Sequence, residues 1–394
     1  MLTSSNSSKK IGVFMDYMTW IEINKTALEQ NILQYQSWLP EKTKVAPVIK
    51  ANAYGHGLIE IGKLHQKNNA ISRICVANSQ EAVDLRNNGI TKPILVLGFL
   101  NTPLETIAEY DLDCAAFSLK TLQDYQNIGR LFNKKINIHL KIDTGLSRLG
   151  FLPKEVSTAL DTIKYSPNLH LQGIWSHLTE SFNPELVHEQ EEKLKPFWLP
   201  NTQVHIASSN SCLITKYFYD FARIGAGLFG YIPESEKEKQ KMLHPVISLK
   251  TRIFSIKKVA KGSSVGYGKT TYITSKETMV ATLGMGYYEG IDPERLAQGK
   301  VLVHGQYAPI IGRINMNYFM IDVTHIPQTQ VNDVVTVLGQ DGDKYITPYD
   351  WQTDTQKNVR IFLARLNSSL PRIITEQPII TMLDSAIKNS EITA

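Results

Sequence analysis

Eight short apolar, β-branched runs recur along the first two-thirds of the chain, and this rhythm constrains the fold more than any other feature. The runs are Val45–Ile49, Arg73–Ala77, Pro93–Phe99, Asp113–Phe117, Ile136–Ile142, Leu169–Trp175, Gln203–Ala207 and Phe221–Ile224. Amphipathic stretches separate most of them. Ala27–Leu39 and Ser79–Asn88 carry the clearest helical spacing, with Gly89 as the natural stop of the second. Strands apolar on both faces and alternating with helices imply a parallel sheet. Eight such units imply a closed (β/α)8 barrel of the TIM type.

The rhythm changes near Pro245. Strand-like runs then follow closely: Val246–Ile256, Met279–Leu283, Lys300–His304, Phe319–Val323 and Val334–Leu338. Turns are expected at Gly262-Ser263, Gly299-Lys300 and Asp341-Gly342-Asp343. The expectation is an α/β chain: a (β/α)8 barrel over 20–240, then a mainly-β domain over 245–385. Residues 1–19 form an N-terminal extension, and residues 233–244, with Glu234-Ser-Glu-Lys-Glu-Lys, read as an exposed linker. Trp20–Ile23 is strand-like and is expected to pair with the second domain. The polar tail at 385–394 is expected to fray.

A chain of 394 residues with 42% hydrophobic and 20% charged residues can bury the cores this layout needs. Its net charge of +5 comes from scattered basic residues, so no basic patch for nucleic acid or membrane is expected. Cys75, Cys114 and Cys212 sit in or beside apolar runs without metal spacing and read as reduced residues in or near the core. No stretch reads as a signal peptide or membrane span. The expected location is cytoplasmic.

Active sites of such barrels lie at the carboxyl ends of the strands, often with a phosphate held after the last two. That rim collects Lys50 after the first strand and Asp143, Thr144, Gly145 and Arg148 after the fifth. It adds His177 after the sixth, Ser208-Ser-Asn-Ser211 after the seventh, and Arg223 with Gly225-Ala-Gly227 at the eighth. Small residues at the last two positions let backbone N–H groups approach an anion. Singly, each has a plainer reading: a solvated lysine, a structural histidine, a Gly-x-Gly turn, an Asp143–Arg148 ion pair. Their convergence on one rim favours a site for a small anionic ligand.

The local motifs are more specific. Val48-Ile-Lys-Ala-Asn-Ala-Tyr-Gly-His-Gly57 resembles the cofactor-lysine motif of alanine racemases, which use pyridoxal 5'-phosphate. Lys141-Ile-Asp-Thr-Gly-Leu-Ser-Arg-Leu-Gly150, Gly173-Ile-Trp-Ser-His177, Val265-Gly-Tyr-Gly268, Gly284-Met-Gly-Tyr-Tyr-Glu-Gly290 and Gly312-Arg-Ile-Asn-Met316 continue it in family order, from Trp20 to Arg372. The resemblance implies an isomerase that interconverts L- and D-alanine, supplies D-alanine for peptidoglycan, and works as a head-to-tail homodimer. It implies Lys50 as cofactor lysine and one catalytic base, and Tyr267 of the partner subunit as the other. Tyr54, Ser209, Gly225 and Ala226 correspond to phosphate ligands, and Arg223 to the residue donating to the pyridine nitrogen, with His177 in its network. Arg148 corresponds to a contact of the cofactor oxygen and the substrate carboxylate, and the backbone of Met316 to a further carboxylate contact. Lys141 matches a position that is carbamylated in some members.

Free lysine and tyrosine titrate near ~10.4 and ~10, so both bases need a lowered pKa. Arginine can only donate to the ring nitrogen. That suits brief deprotonation and argues against decarboxylases of the same barrel type, which place a glutamate there. Single-barrel cofactor carriers lack the second domain.

The chain departs from the family pattern at Ser208, Ile224, Tyr288-Glu289 and Asn317, and at Ser368, which aligns with a phosphate-contacting tyrosine of some members. These departures bear on substrate choice and keep open a broad-specificity racemase acting on serine, lysine or arginine.

Overall fold

In a computed structural model of the chain, the described residues are 17–214, 219–268, 272–296, 299–351 and 359–377. All eight anticipated barrel strands are present. After β1 (Thr19–Asn24) they run as β2 (Lys44–Pro47), β3 (Ile74–Val76), β4 (Ile94–Val96), β5 (Asp113–Ala116), β6 (Ile136–Lys141), β7 (Leu169–Trp175), β8 (Gln203–His205) and β9 (Phe221–Ile224). Strands β3 to β8 form one parallel sheet in chain order, and β2 pairs in parallel with β9. The ring closes at two seams. Ile49 N–H donates to the Cys75 carbonyl at 3.0 Å, and Arg223 N–H donates to the Ala207 carbonyl at 3.0 Å. Cys75, Cys114 and Cys212 are all buried and free.

Local sequence explains where the outer helices begin. Asn24 Oδ1 accepts from Ala27 N–H to open the helix Lys25–Trp38, and Asn78 caps Ser79–Asn87 through Glu81 N–H. Gly89 follows the second helix at φ +83°, a conformation glycine adopts without strain.

The mainly-β part comprises β10 (Ile247–Val259), β11 (Thr278–Leu283), β12 (Lys300–Val303), β13 (Gln306–Ile311), β14 (Phe319–Asp322), β15 (Val334–Asp341), β16 (Lys344–Ile346) and β17 (Arg372–Thr375). Strand β1 joins this sheet, antiparallel to β10 and parallel to β17, as the apolar run at Trp20 suggested. The first and last described strands therefore lie side by side, which ties the barrel to the second sheet at both ends of its sequence.

The fold differs from expectation in its missed strands, at Lys300 and in the segment 233–244. The sequence reading missed β13, β16 and β17; Pro309 interrupts the first, which a proline normally argues against, and the others have only three and four residues. Lys300 is not in a turn: it opens β12, opposite Pro309, and the chain reverses at His304-Gly305 instead. The segment 233–244 is not simply an exposed linker. It forms the 3-10 turn Glu234–Glu236 and the short helix Lys237–Gln240. Leu243 is fully buried, and Gln240 bridges Ile232 N–H and the Gly230 carbonyl. Residues 1–16 of the extension and the tail at 385–394 lie outside the described residues. No helix among the described residues is long and apolar enough to cross a membrane.

Candidate active site

A cavity of about 610 Å³ opens at the carboxyl ends of the barrel strands, lined by Lys50, Tyr54, Lys141, Arg148, His177, Ser208, Ser209, Arg223, Gly225 and Ala226 among others. Of the rim residues named from the sequence, Lys50, Arg148, His177, Ser208, Ser209, Asn210, Arg223, Gly225 and Ala226 share this space, whereas Asp143, Thr144, Gly145, Ser211 and Gly227 do not line it. Two more residues from the resemblance lie elsewhere on this chain. Tyr267 is 71% exposed and Met316 54% exposed, and neither lines the Lys50 cavity.

Lys50 owes its placement to an unusual turn. Ala51, Asn52, Ala53 and Tyr54 all have φ between 52° and 54°, one left-handed turn built without glycine. Such a conformation costs roughly 1–2 kcal/mol per residue. Surrounding bonds hold it: Glu81 Oε1 accepts from Ala51 N–H at 2.7 Å, and Asn52 Oδ1 accepts from Leu58 N–H at 2.8 Å. The Gly55 carbonyl accepts from Arg372 Nε and Nη2 at 3.2 and 3.0 Å. Strain so heavily supported is a mark of functional sites. Lys50 projects into the cavity, where solvent still reaches it. The protein around it, then the Arg148 cation, hold its ammonium below the ordinary lysine value.

At one end of the cavity, Ser209 Oγ accepts from Gly225 N–H at 2.9 Å, and Tyr35 Oη donates to the Ser209 carbonyl at 3.3 Å. A Cβ on Gly225 would fall on the Tyr54 hydroxyl, so glycine there preserves the cradle. Burial pushes the Tyr54 phenol up to about 12, keeping it a neutral donor. Hydroxyls, small residues and backbone N–H groups suit an anion of phosphate size.

Arg223 forms the cavity floor and is 3% exposed. Its Nη2 donates to the Ser176 and Ile206 carbonyls at 2.9 and 3.2 Å and lies 3.3 Å from His177 Nδ1. Its Nη1 lies 2.6 Å from His205 Nδ1. The contacts continue into the barrel: His205 Nε2 to His139 Nδ1 at 2.9 Å, and His139 Nε2 to Arg73 Nη1 at 2.9 Å. Arg73 then meets the carboxylate of Asp113 at 3.5 Å. Burial first, then the guanidinium charges, hold His139, His177 and His205 well below the ordinary histidine range. All three are neutral. Among the described residues no carboxylate touches Arg223, whose direct partners are histidines and carbonyls, so its donors are presented without a bound counter-charge. Burial lowers it only to about 10.

At the other end, Asp143 accepts from the N–H groups of Gly145 and Ser147 at 3.0 and 3.1 Å. It shapes the loop that carries Arg148. Lys141 is 2% exposed, with Nζ 4.0 Å above the Trp175 ring centre. Burial, then Arg223 and Arg148, bring its amine down to about 7.

Several residues here escaped the sequence reading. Glu81 lies in the first turn of the helix Ser79–Asn87, where nothing local signals its bond to the Lys50 turn. His139 and His205 sit inside strands, where alternation shows burial but not the contact between them. Ser368, which stands where some family members carry a phosphate-contacting tyrosine, lines a separate groove with Tyr287, Tyr288 and Asp292, while Arg360 borders the Lys50 cavity.

A closed barrel with a strained lysine turn, an anion cradle and an uncompensated arginine, joined to a β domain, defines an enzyme of the barrel-plus-β class. The comparisons with known proteins are specific within it. The family description for the alanine racemase N-terminal domain matches residues 23–233, and that for the C-terminal domain matches 246–374. The chain belongs to the alanine racemase family. It is 36% identical to the alanine racemase of Methanococcus maripaludis over 83% of this chain and 91% of that one. Among solved structures, the alanine racemase of Clostridium difficile 630 superposes with a TM-score of 0.83 at 27% identity, covering 93% of this chain and 98% of the other. A histidine racemase from Leuconostoc mesenteroides also matches, with a TM-score of 0.81 at 27% identity over 91% and 98%.

Proposed function

We propose that the protein is a pyridoxal-phosphate-dependent racemase that interconverts L- and D-alanine. The observation that carries this reading is the pairing of Lys50, its ammonium destabilised, with Arg223, whose neighbours are neutral histidines and carbonyls. The site fits the cofactor: Lys50 can attach it, Arg223 can donate to its ring nitrogen, and Tyr54, Ser209, Gly225 and Ala226 can hold its phosphate. When bound, the cofactor supplies an electron sink that acidifies the substrate α-carbon.

The remaining chemistry belongs to the side chains. Arg148 binds the substrate carboxylate and, with desolvation, keeps Lys50 ready to take or return the α-proton on one face. Arg223 donates without transferring a proton, which limits the sink to deprotonation. A second base on the opposite face comes from Tyr267 of a second copy of the chain, with the backbone of its Met316 near the carboxylate. Exposure of Tyr267, Met316, Tyr288 and Tyr318 on one chain supports a partner surface there. With its amine brought down to about 7, a substantial share of Lys141 is neutral near pH 7, the form that adds carbon dioxide; the resulting carbamate would brace Arg148. The D-alanine formed would serve peptidoglycan synthesis in the cytoplasm.

Asn317 and the likeness to a histidine racemase favour a second reading, in which larger side chains are also accepted. One experiment separates the two: α-hydrogen exchange in deuterium oxide, with product chirality, over a panel of single L-amino acids. Exchange restricted to alanine supports the first reading, and exchange over several supports the second. Borohydride reduction should fix the cofactor on Lys50. An adduct on another lysine defeats both.

A further inference from the structure

Three arginines, Arg148, Arg223 and Arg360, line the cavity. Arg148 acts electrostatically on Lys141, His177, Arg223 and Lys50. Arg360 acts on Lys50, Tyr54 and Tyr35 instead. Tyr54 and Tyr35 are the two tyrosines that flank Ser209 and Gly225. Arg360 thus shares the cavity with Lys50 and with the cradle of Tyr54, Ser209 and Gly225, and its charge acts on the tyrosines of that cradle.

Arg360 reaches the barrel mouth from the short helix Val359–Leu363, which lies between β16 and β17 in sequence. The packing that brings it there is tight. Gly55, at φ +89°, lies against the Leu363 carbonyl, which a Cβ at that position would overlap. Arg372 clasps the same Gly55 carbonyl and the carbonyls of Ser368 and Leu370. The segment 359–372 is thus locked onto the turn that begins at Lys50.

We infer that Arg360 is the cationic ligand of the cofactor phosphate, supplied by the second domain to a cradle otherwise made of hydroxyls and backbone N–H groups. This rests on the reading of the cavity as a pyridoxal-phosphate site. It gives the cavity two anion seats of different character: Arg360 for a dianionic phosphate, Arg148 for a carboxylate. A guanidinium matches phosphate oxygens in a fork and stays charged, where Tyr54 and Ser209 can offer only single neutral bonds.

The test compares pyridoxal 5'-phosphate with pyridoxal, which lacks the phosphate, by absorbance titration of protein stripped of cofactor. The chains are wild type, Arg360→Gln and Arg360→Lys. Arg360→Gln should raise the Kd for pyridoxal 5'-phosphate about 10- to 100-fold, the range for losing a bond to a charged group. Its affinity for pyridoxal should be unchanged, and Arg360→Lys should recover part of the loss. Inorganic phosphate should compete with pyridoxal 5'-phosphate on wild type and much less on Arg360→Gln. Equal loss of both ligands, or no loss of either, overturns the assignment of Arg360. If Arg360→Gln does not fold, Arg360→Lys decides by the same ratio of the two ligands. Wild type that fails to take up pyridoxal 5'-phosphate at Lys50 defeats the parent reading instead.

Discussion

Replacing Lys141 by methionine isolates the electrical cost of the site. Burial, Arg223 and Arg148 bring the Lys141 amine from 10.5 down to about 7 in the folded protein. In the unfolded chain it titrates near ~10.4. Between those values the folded state binds one proton fewer than the unfolded state, so wild-type stability rises with pH, by up to about 1.4 kcal/mol per pH unit. Below about 7 both states hold the proton and the full penalty is present, on the order of 5 kcal/mol. Methionine keeps the apolar stem and removes the titration. Denaturant unfolding at pH 7 and pH 9, in buffer free of carbon dioxide and at one protein concentration, should show Lys141→Met stabilised relative to wild type at pH 7. That advantage should shrink by about 2 kcal/mol at pH 9. The contact with Trp175 at 4.0 Å is lost at both pH values, so the change in the gap, not its absolute size, is the readout. Adding bicarbonate should then raise wild-type stability alone, because only a neutral amine forms a carbamate and its carboxylate would face two arginines. A gap that does not vary with pH would refute the reasoning.

Three further perturbations follow from the geometry. Arg73→Met strands the buried carboxylate of Asp113 and should cost about 3–5 kcal/mol, seen as a lower denaturant midpoint; a change within about 0.5 kcal/mol would show that the ion pair is not what holds that end of the barrel. Gly55→Ala combines a positive φ with overlap on the Leu363 carbonyl. It should destabilise by at least about 2 kcal/mol and weaken pyridoxal 5'-phosphate binding by displacing Arg360; normal stability and affinity would show that the contact is not tight. Glu81 raises the Lys50 pKa, so Glu81→Gln should lower it, and acylation of Lys50 should reach its half-maximal rate at a lower pH than in wild type. An upward move would reverse the assigned sign.

How much of this was readable beforehand depended on whether the signal was local. Barrel strands announce themselves through runs such as Ile94–Val96 that are apolar where they must be buried. The rule placing function at strand ends then gathers Lys50, Arg148, His177 and Arg223 without a structure. Contacts made across the barrel left no such trace. His139 and His205 are separated by 66 residues and meet only because their strands lie around one closed ring. Gly173 gives the one retrospective hint, since any Cβ there would fall on the His139 imidazole. The left-handed turn at Ala51–Tyr54 was also hidden, because none of its residues is glycine and tertiary bonds, not local preference, impose it. Arg360 was the least legible. It lies 310 residues from Lys50, in an unremarkable stretch, and its place is set by how the second domain docks.

That docking connects three properties that otherwise look separate. Lys50, Lys141, Arg148, Arg223 and Arg360 surround one cavity, and among the described residues Glu180 is the one carboxylate that lines it. Burial first, then the crowded arginines, lowers the pKa of both lysines, as a basic amine near neutral pH requires. The same crowding selects ligands that bring a phosphate and a carboxylate together, since each neutralises the arginine at its own end. It also opposes folding of the protein without them, by a repulsion that low dielectric does little to screen. Neutral histidines behind Arg223 are consistent with this logic: a carboxylate there would relieve the repulsion but would also remove the unbalanced donor on which the restricted chemistry depends. The site therefore trades stability for reactivity, and the anions it binds restore both.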